Sequence, residues 1–200
     1  MRANQNLSAG SAKPTIIADD GLRTPRASSR MSTYKRRITR EKVLQTLYAY
    51  ELSKEPISTI MELVLGELKS SRDDFEFAKK LVAEVIQREA EIEKIIRAKV
   101  AHWEFERIAV IDRIVLRMGI CELLHFPEIP PKVTINEAIE VAKAFSTEKS
   151  GKFINGVLDA ILDDLKSENK LHKTGRGLIE DSFARPGRKP PLREKPPSKK

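Results

Sequence analysis

Between residues 34 and 168 the apolar positions recur at spacings of three and four, and the strict alternation of a half-buried strand is nowhere sustained. Val43, Leu44 and Leu47 mark a first amphipathic helix, and Ile57, Ile60, Met61, Val64 and Leu68 mark a second, following Pro56. Phe75, Ala78, Leu81, Val82, Val85 and Ile86 open a long third segment that continues through Ile92, Ile95 and Ile96. The run from Ile108 to Leu124 is apolar nearly all round, which predicts a helix at the centre of its domain. Within that run Arg113, Arg117 and Glu122 are expected to satisfy one another or backbone carbonyls, and Trp103, Phe105 and Ile108 to wedge the helices together.

The stretch from Pro131 to Asp159, PKVTINEAIEVAKAFSTEKSGKFINGVLD, reads as two helices with a polar break at Ser146–Ser150. Thr134 and Glu137 have capping-box spacing, and Ser150 is the expected cap of the last helix. Ile154, Val157, Leu158, Ile161 and Leu165 form that helix's apolar stripe. The pattern predicts an all-α single domain over residues 34–168, long enough to close its own core.

The flanks break the pattern. Residues 1–33, rich in Ser, Ala, Arg and Pro at the start, are expected to be a disordered extension, with Met31 as the physiological start. Residues 169–200 end in RPGRKPPLREKPPSKK and are expected to form an extended basic tail.

Charge alters the picture only after it is divided. The formal charge is +8, but residues 1–30 carry five basic and two acidic side chains and residues 171–200 carry nine and three. Residues 31–170 carry 23 and 24, so the folded part is nearly neutral and only a local basic patch can argue for nucleic acid. The single cysteine, Cys121, lies in the apolar run and is expected to be a buried thiol; a disulfide framework is excluded. No apolar run approaches the roughly 20 residues needed to cross a bilayer, and the N-terminus lacks the apolar core of a secretory signal. A cytoplasmic protein is expected.

Catalytic and metal chemistry find no support. His102, His125 and His172 are scattered without ligand spacing, no nucleotide-binding glycine motif is present, and no nucleophile has a local partner. No enzyme activity, cofactor or metal is expected.

Nucleic-acid binding does find local support. Lys35, Arg36, Arg37, Arg40 and Lys42 crowd the expected entry of the first helix, where the macrodipole disfavours cations by about 0.3–1 kcal/mol each. Lys149 and Lys152 flank the start of the last helix beside Phe153, which lies about 80–90° from the centre of that helix's stripe. Phe153 is therefore either an edge of the core or a ring on which an unpaired base could stack. Tyr48 stands at the flank of the first stripe, and Asp112 is expected to be exposed at the start of the apolar helix.

Three segments, ITREKVLQTLYAYELS, HWEFERIAVIDRIVLRMGICELL and PPKVTINEAIEVAKAFSTEKSGKFINGVLDAI, resemble the signature blocks of the NusB family of bacterial transcription antitermination factors. The similarity runs in order from about Tyr34 to Leu165. It implies an all-helical domain of two small bundles. It also implies binding of the single-stranded boxA element of ribosomal RNA leaders, jointly with the ribosomal protein NusE, in an antitermination complex on RNA polymerase. By position, the family's arginine-rich segment matches Arg36, Arg37 and Arg40, and its Lys–Phe pair matches Lys152 and Phe153. Its NusE contacts match Tyr48 and Asp112. Two positions depart from the family: Lys149 stands where an acid is expected, and Cys121 where a tyrosine is usual. The rival readings are a helical protein-binding module without RNA, and an RNA-targeting accessory domain of an rRNA-modifying system.

Overall fold

The computed structural model describes residues 25–53, 55–100 and 104–178, the first ten of these by backbone alone. Seven α-helices follow in order: α1 (Pro25–Leu52), α2 (Ile57–Leu65), α3 (Arg72–Gln87), α4 (Glu89–Lys99), α5 (Val110–His125), α6 (Pro131–Phe145) and α7 (Glu148–Ser167). Among the described residues there is no strand. Helices α1, α2 and α3 pack as one small bundle and α4 to α7 as a second. Helix α5 touches α1 and α3 on one side and α4, α6 and α7 on the other. It is buried almost all round, from Ile114 through Leu123, as its largely apolar run predicts, with the charged Arg117 and Glu122 buried among the apolar side chains. One continuous core of mainly aliphatic side chains, with Phe105 and Phe126, joins the two bundles through it.

Local chemistry sets the ends of the helices. Pro56 precedes α2, and Asp73 and Asp74 place negative charge in the first turn of α3, where the dipole favours it. The long third segment divides at Arg88 (φ −109°, ψ 16°), whose guanidinium returns to Glu84 at 2.8 Å, and α4 begins immediately after it. Helix α7 is capped by Thr147, not Ser150: the Ser150 N–H donates to Thr147 Oγ1, and the Thr147 N–H donates to Ser150 Oγ.

The capping box expected of Thr134 and Glu137 does not form. Helix α6 begins at Pro131, and both residues are buried in its body with partners on other helices. A cap needs its residue at the boundary, and the preceding Pro130–Pro131 pair moves the boundary upstream. Arg113 and Arg117 also differ from expectation. Both reach Glu51 of α1, and Arg117 further contacts Glu89 and Glu93, so these charges tie helices together instead of satisfying one another.

Both flanks differ from the expected boundaries. Helix α1 starts at Pro25, so Lys35–Lys42 sit well inside a helix and the dipole at its first turn does not act on them. At the other end, Asn169 (φ 54°) turns the chain out of α7. The Lys170 N–H returns to the Leu165 carbonyl at 2.9 Å and that of Asn169 to Lys166 at 3.2 Å, a Schellman closure. Residues 170–178 then run back over the C-terminal end of α5, where Lys173 Nζ donates to the carbonyls of Glu122 and Phe126, both at 3.0 Å. Gly177 presses against the Pro127 carbonyl where a Cβ has no room. The rest of both expected tails, residues 1–24 and 179–200, and Trp103 lie outside the described residues.

Candidate nucleic-acid interface

The basic run of α1 is held in place by acids from α3, α5, α6 and the segment between α2 and α3. Arg36 Nε lies 3.3 Å from Asp74 of α3, and its guanidinium sits 4.7 Å over the Phe77 ring. Arg37 donates from Nε and Nη2 to both oxygens of Glu137 on α6, at 3.1 and 3.0 Å. Its third nitrogen, Nη1, lies 3.6 Å from Glu140. Lys42 pairs with Glu67 at 2.6 Å, and Lys35 is exposed. The hydrogen bonds it donates to Glu137 raise the Arg37 pKa further, so its charge is permanent.

Arg40 requires a correction. It is 4% exposed, and Nε and Nη2 donate to the two oxygens of Glu122 at 2.7 and 2.8 Å. Thr134 Oγ1 adds a third hydrogen bond to that carboxylate, at 3.2 Å. Burial works against the charge on Arg40, but the Glu122 carboxylate outweighs it and leaves the pKa raised. Arg40 is a buried strut joining α1 to α5, so it does not present its guanidinium at the surface as Arg36 and Arg37 do.

The second basic element is the first turn of α7. Lys149 and Lys152 are exposed there, and Phe153 is half-buried with one side packed on the core. That matches its position on the shoulder of the stripe. The two basic elements meet across α6. Lys143 Nζ bonds Glu140 at 2.9 Å, and Glu140 also faces Arg37. The Lys143 stem lies across Gly151, where an added Cβ would stand 3.2 Å from Cγ. Arg37 and Lys143 thus meet at Glu140, and the Lys143 stem reaches Gly151, the residue before Lys152, while Arg36 turns to Asp74 and Phe77 of α3.

Tyr48 and Asp112 are separated in role. Tyr48 is 38% exposed on α1, one turn before Glu51, which is bound by Arg113 and Arg117 of α5. Asp112 was expected at the surface but is only 7% exposed. Its Oδ2 accepts from Ser150 Oγ at 2.8 Å, fastening the start of α5 to the first turn of α7. Sequence reasoning missed Asp74, Phe77, Glu137, Glu140 and Lys143. Their signal was an acid, a cation or, for Phe77, a ring on the helix facing the basic run, and that cannot be read without the packing.

Three comparisons bear on this arrangement. A model of the NusB family matches residues 37–163. The chain belongs to the NusB family. The transcription antitermination protein NusB of Salinibacter ruber is 47% identical over 148 residues, covering 72% of this chain and 91% of that protein. A solved NusB of T. maritima superposes with a TM-score of 0.61 at 37% identity, covering 64% of this chain and 91% of that one. A solved complex of the antitermination factors NusB and NusE with double-stranded RNA superposes at 0.59 and 30% identity, covering 67% and 98%. Family membership accounts for the two bundles and for α5 between them. Among the described residues no cluster of His, Cys, Asp or Glu could hold a metal, and no helix is long and apolar enough to cross a membrane.

Proposed function

We propose that this chain is a transcription antitermination adaptor that holds a boxA-type single-stranded RNA together with the ribosomal protein NusE, in the antitermination complex on RNA polymerase. The observation that supports this reading is a set of accessible cations on three helices, Arg36 and Arg37 of α1, Lys143 of α6 and Lys152 of α7, with the half-buried Phe153, on a nearly neutral body. Phosphates pair with the cations, and one unpaired base stacks on Phe153. Lys35 and Lys149, both exposed, add charge on α1 and α7. NusE docks at the face carrying Tyr48, where an exposed ring with a polar tip suits a protein interface. Asp112, buried against Ser150, fixes the first turn of α7 instead of meeting a partner directly.

A body with so small a basic patch binds RNA weakly alone and needs its partner. Labelled boxA RNA is titrated into the chain with and without NusE; affinity rises clearly with NusE present. Equal affinity in both titrations contradicts joint recognition. Saturable binding of NusE without any RNA response favours a protein-binding module instead.

A further inference from the structure

Four cations of the basic run on α1 are bonded to acids, and those acids are not equivalent. The side chains of Glu122 and Glu137 are 2% and 5% exposed, and each grips its arginine through two hydrogen bonds. Glu140 is 41% exposed and holds two cations loosely, Lys143 at 2.9 Å and Arg37 at 3.6 Å. Buried pairs are part of the scaffold, whereas an exposed pair contributes little and exchanges readily. Glu140 also lies between Arg37 of α1 and Lys143, whose stem is laid against Gly151 in the first turn of α7, with Lys152 next in sequence.

A carboxylate bridging an arginine and a lysine matches a phosphodiester in charge and in the span of its two oxygens. We infer that Glu140 is an internal substitute for a backbone phosphate: it holds Arg37 and Lys143 in the free protein and releases them to the bound strand. Lys143 thereby joins the RNA site, placing a third cation between Arg37 and Lys152. Glu137 keeps the Arg37 fork oriented throughout, so the exchange needs only the side chains of Glu140 and Lys143 to move. The lowered pKa of Glu140, caused first by its hydrogen bond from Lys143 and then by the nearby charges, fits a carboxylate that remains ionised until a competing anion arrives. The consequence is a site whose affinity is held down by its own acid, so weak or misplaced anions do not occupy it.

This inference rests on the RNA-binding reading, and its test separates the two. Labelled single-stranded boxA RNA is titrated, with NusE present, into the full chain and into Glu140→Gln, which retains the side-chain length and removes the charge. Glu62→Gln, on the exposed face of α2, controls for net charge alone. Glu140→Gln is expected to bind about two- to fivefold tighter near 0.1 M salt, with Glu62→Gln unchanged. The gain should disappear when Arg37→Ala and Lys143→Ala are also present. Binding by Glu140→Gln that is equal to or weaker than the parent overturns the inference, and so does a gain that survives loss of both cations. A parent chain that binds no RNA overturns the functional reading as well.

Discussion

Arg40 and Glu122, 82 residues apart in the chain, meet through two parallel hydrogen bonds of 2.7 and 2.8 Å in an almost dry interior. Removing one member leaves the other charged and unpaired inside the protein. Arg40→Ala should therefore cost about 3–5 kcal/mol of stability, read from denaturant unfolding. Arg40→Lys recovers only part of this, because an ammonium cannot reproduce the fork. A stable Arg40→Ala protein whose only defect is weaker RNA binding would show that Arg40 works at the surface.

The pair formed by Asp112 and Ser150 separates packing from partner contact. Ser150→Ala removes the hydrogen bond to a buried carboxylate and should cost about 1–3 kcal/mol of stability. Tyr48→Ala, at an exposed position, should leave the melting temperature within a few degrees of the parent and weaken NusE binding. Calorimetry with NusE distinguishes the two; a large loss of stability in Tyr48→Ala would assign that ring to the core.

Lys173 gives the segment after α7 a pH dependence. Burial lowers its pKa to about 8, against the opposing pull of Glu122 and Glu128. Below about pH 8 the amine is protonated whether the segment is docked or free, and docking carries the full cost of burying the charge. Between about pH 8 and its ordinary value near 10.5 the unfolded chain binds more protons than the folded one, so stability rises with pH. The melting temperature of the parent minus that of Lys173→Met should increase from pH 8 to pH 10. A flat difference would show that the amine is not buried.

Much of the fold was legible because burial leaves a periodic record. The stripes of α1, α2 and α7 and the all-round apolarity of α5 required only spacing. The errors arose where one spacing serves two purposes. Thr134 and Glu137 stand three apart, as a capping box requires, yet their polar atoms go to Glu122 and Arg37. Asp112 at the head of an apolar helix resembles a surface acid until Ser150 of α7 is found against it. The run from Lys35 to Lys42 was visible as charge, but the burial of Arg40 and the partial exposure of Arg36 and Arg37 depend on which helix each faces. Asn169 reads as an ordinary polar residue; its left-handed conformation is what returns Lys173 to the end of α5.

The salt dependence of RNA affinity in the presence of NusE, compared between the parent and the triple variant Arg36→Ala, Arg37→Ala, Lys152→Ala, tests the central claim most directly. Each cation lost from a single-stranded site should lower the slope of log affinity against log salt by about 0.7, so the triple variant should lose about two units of slope as well as affinity. An unchanged slope would place the phosphate contacts elsewhere on the chain and contradict the account.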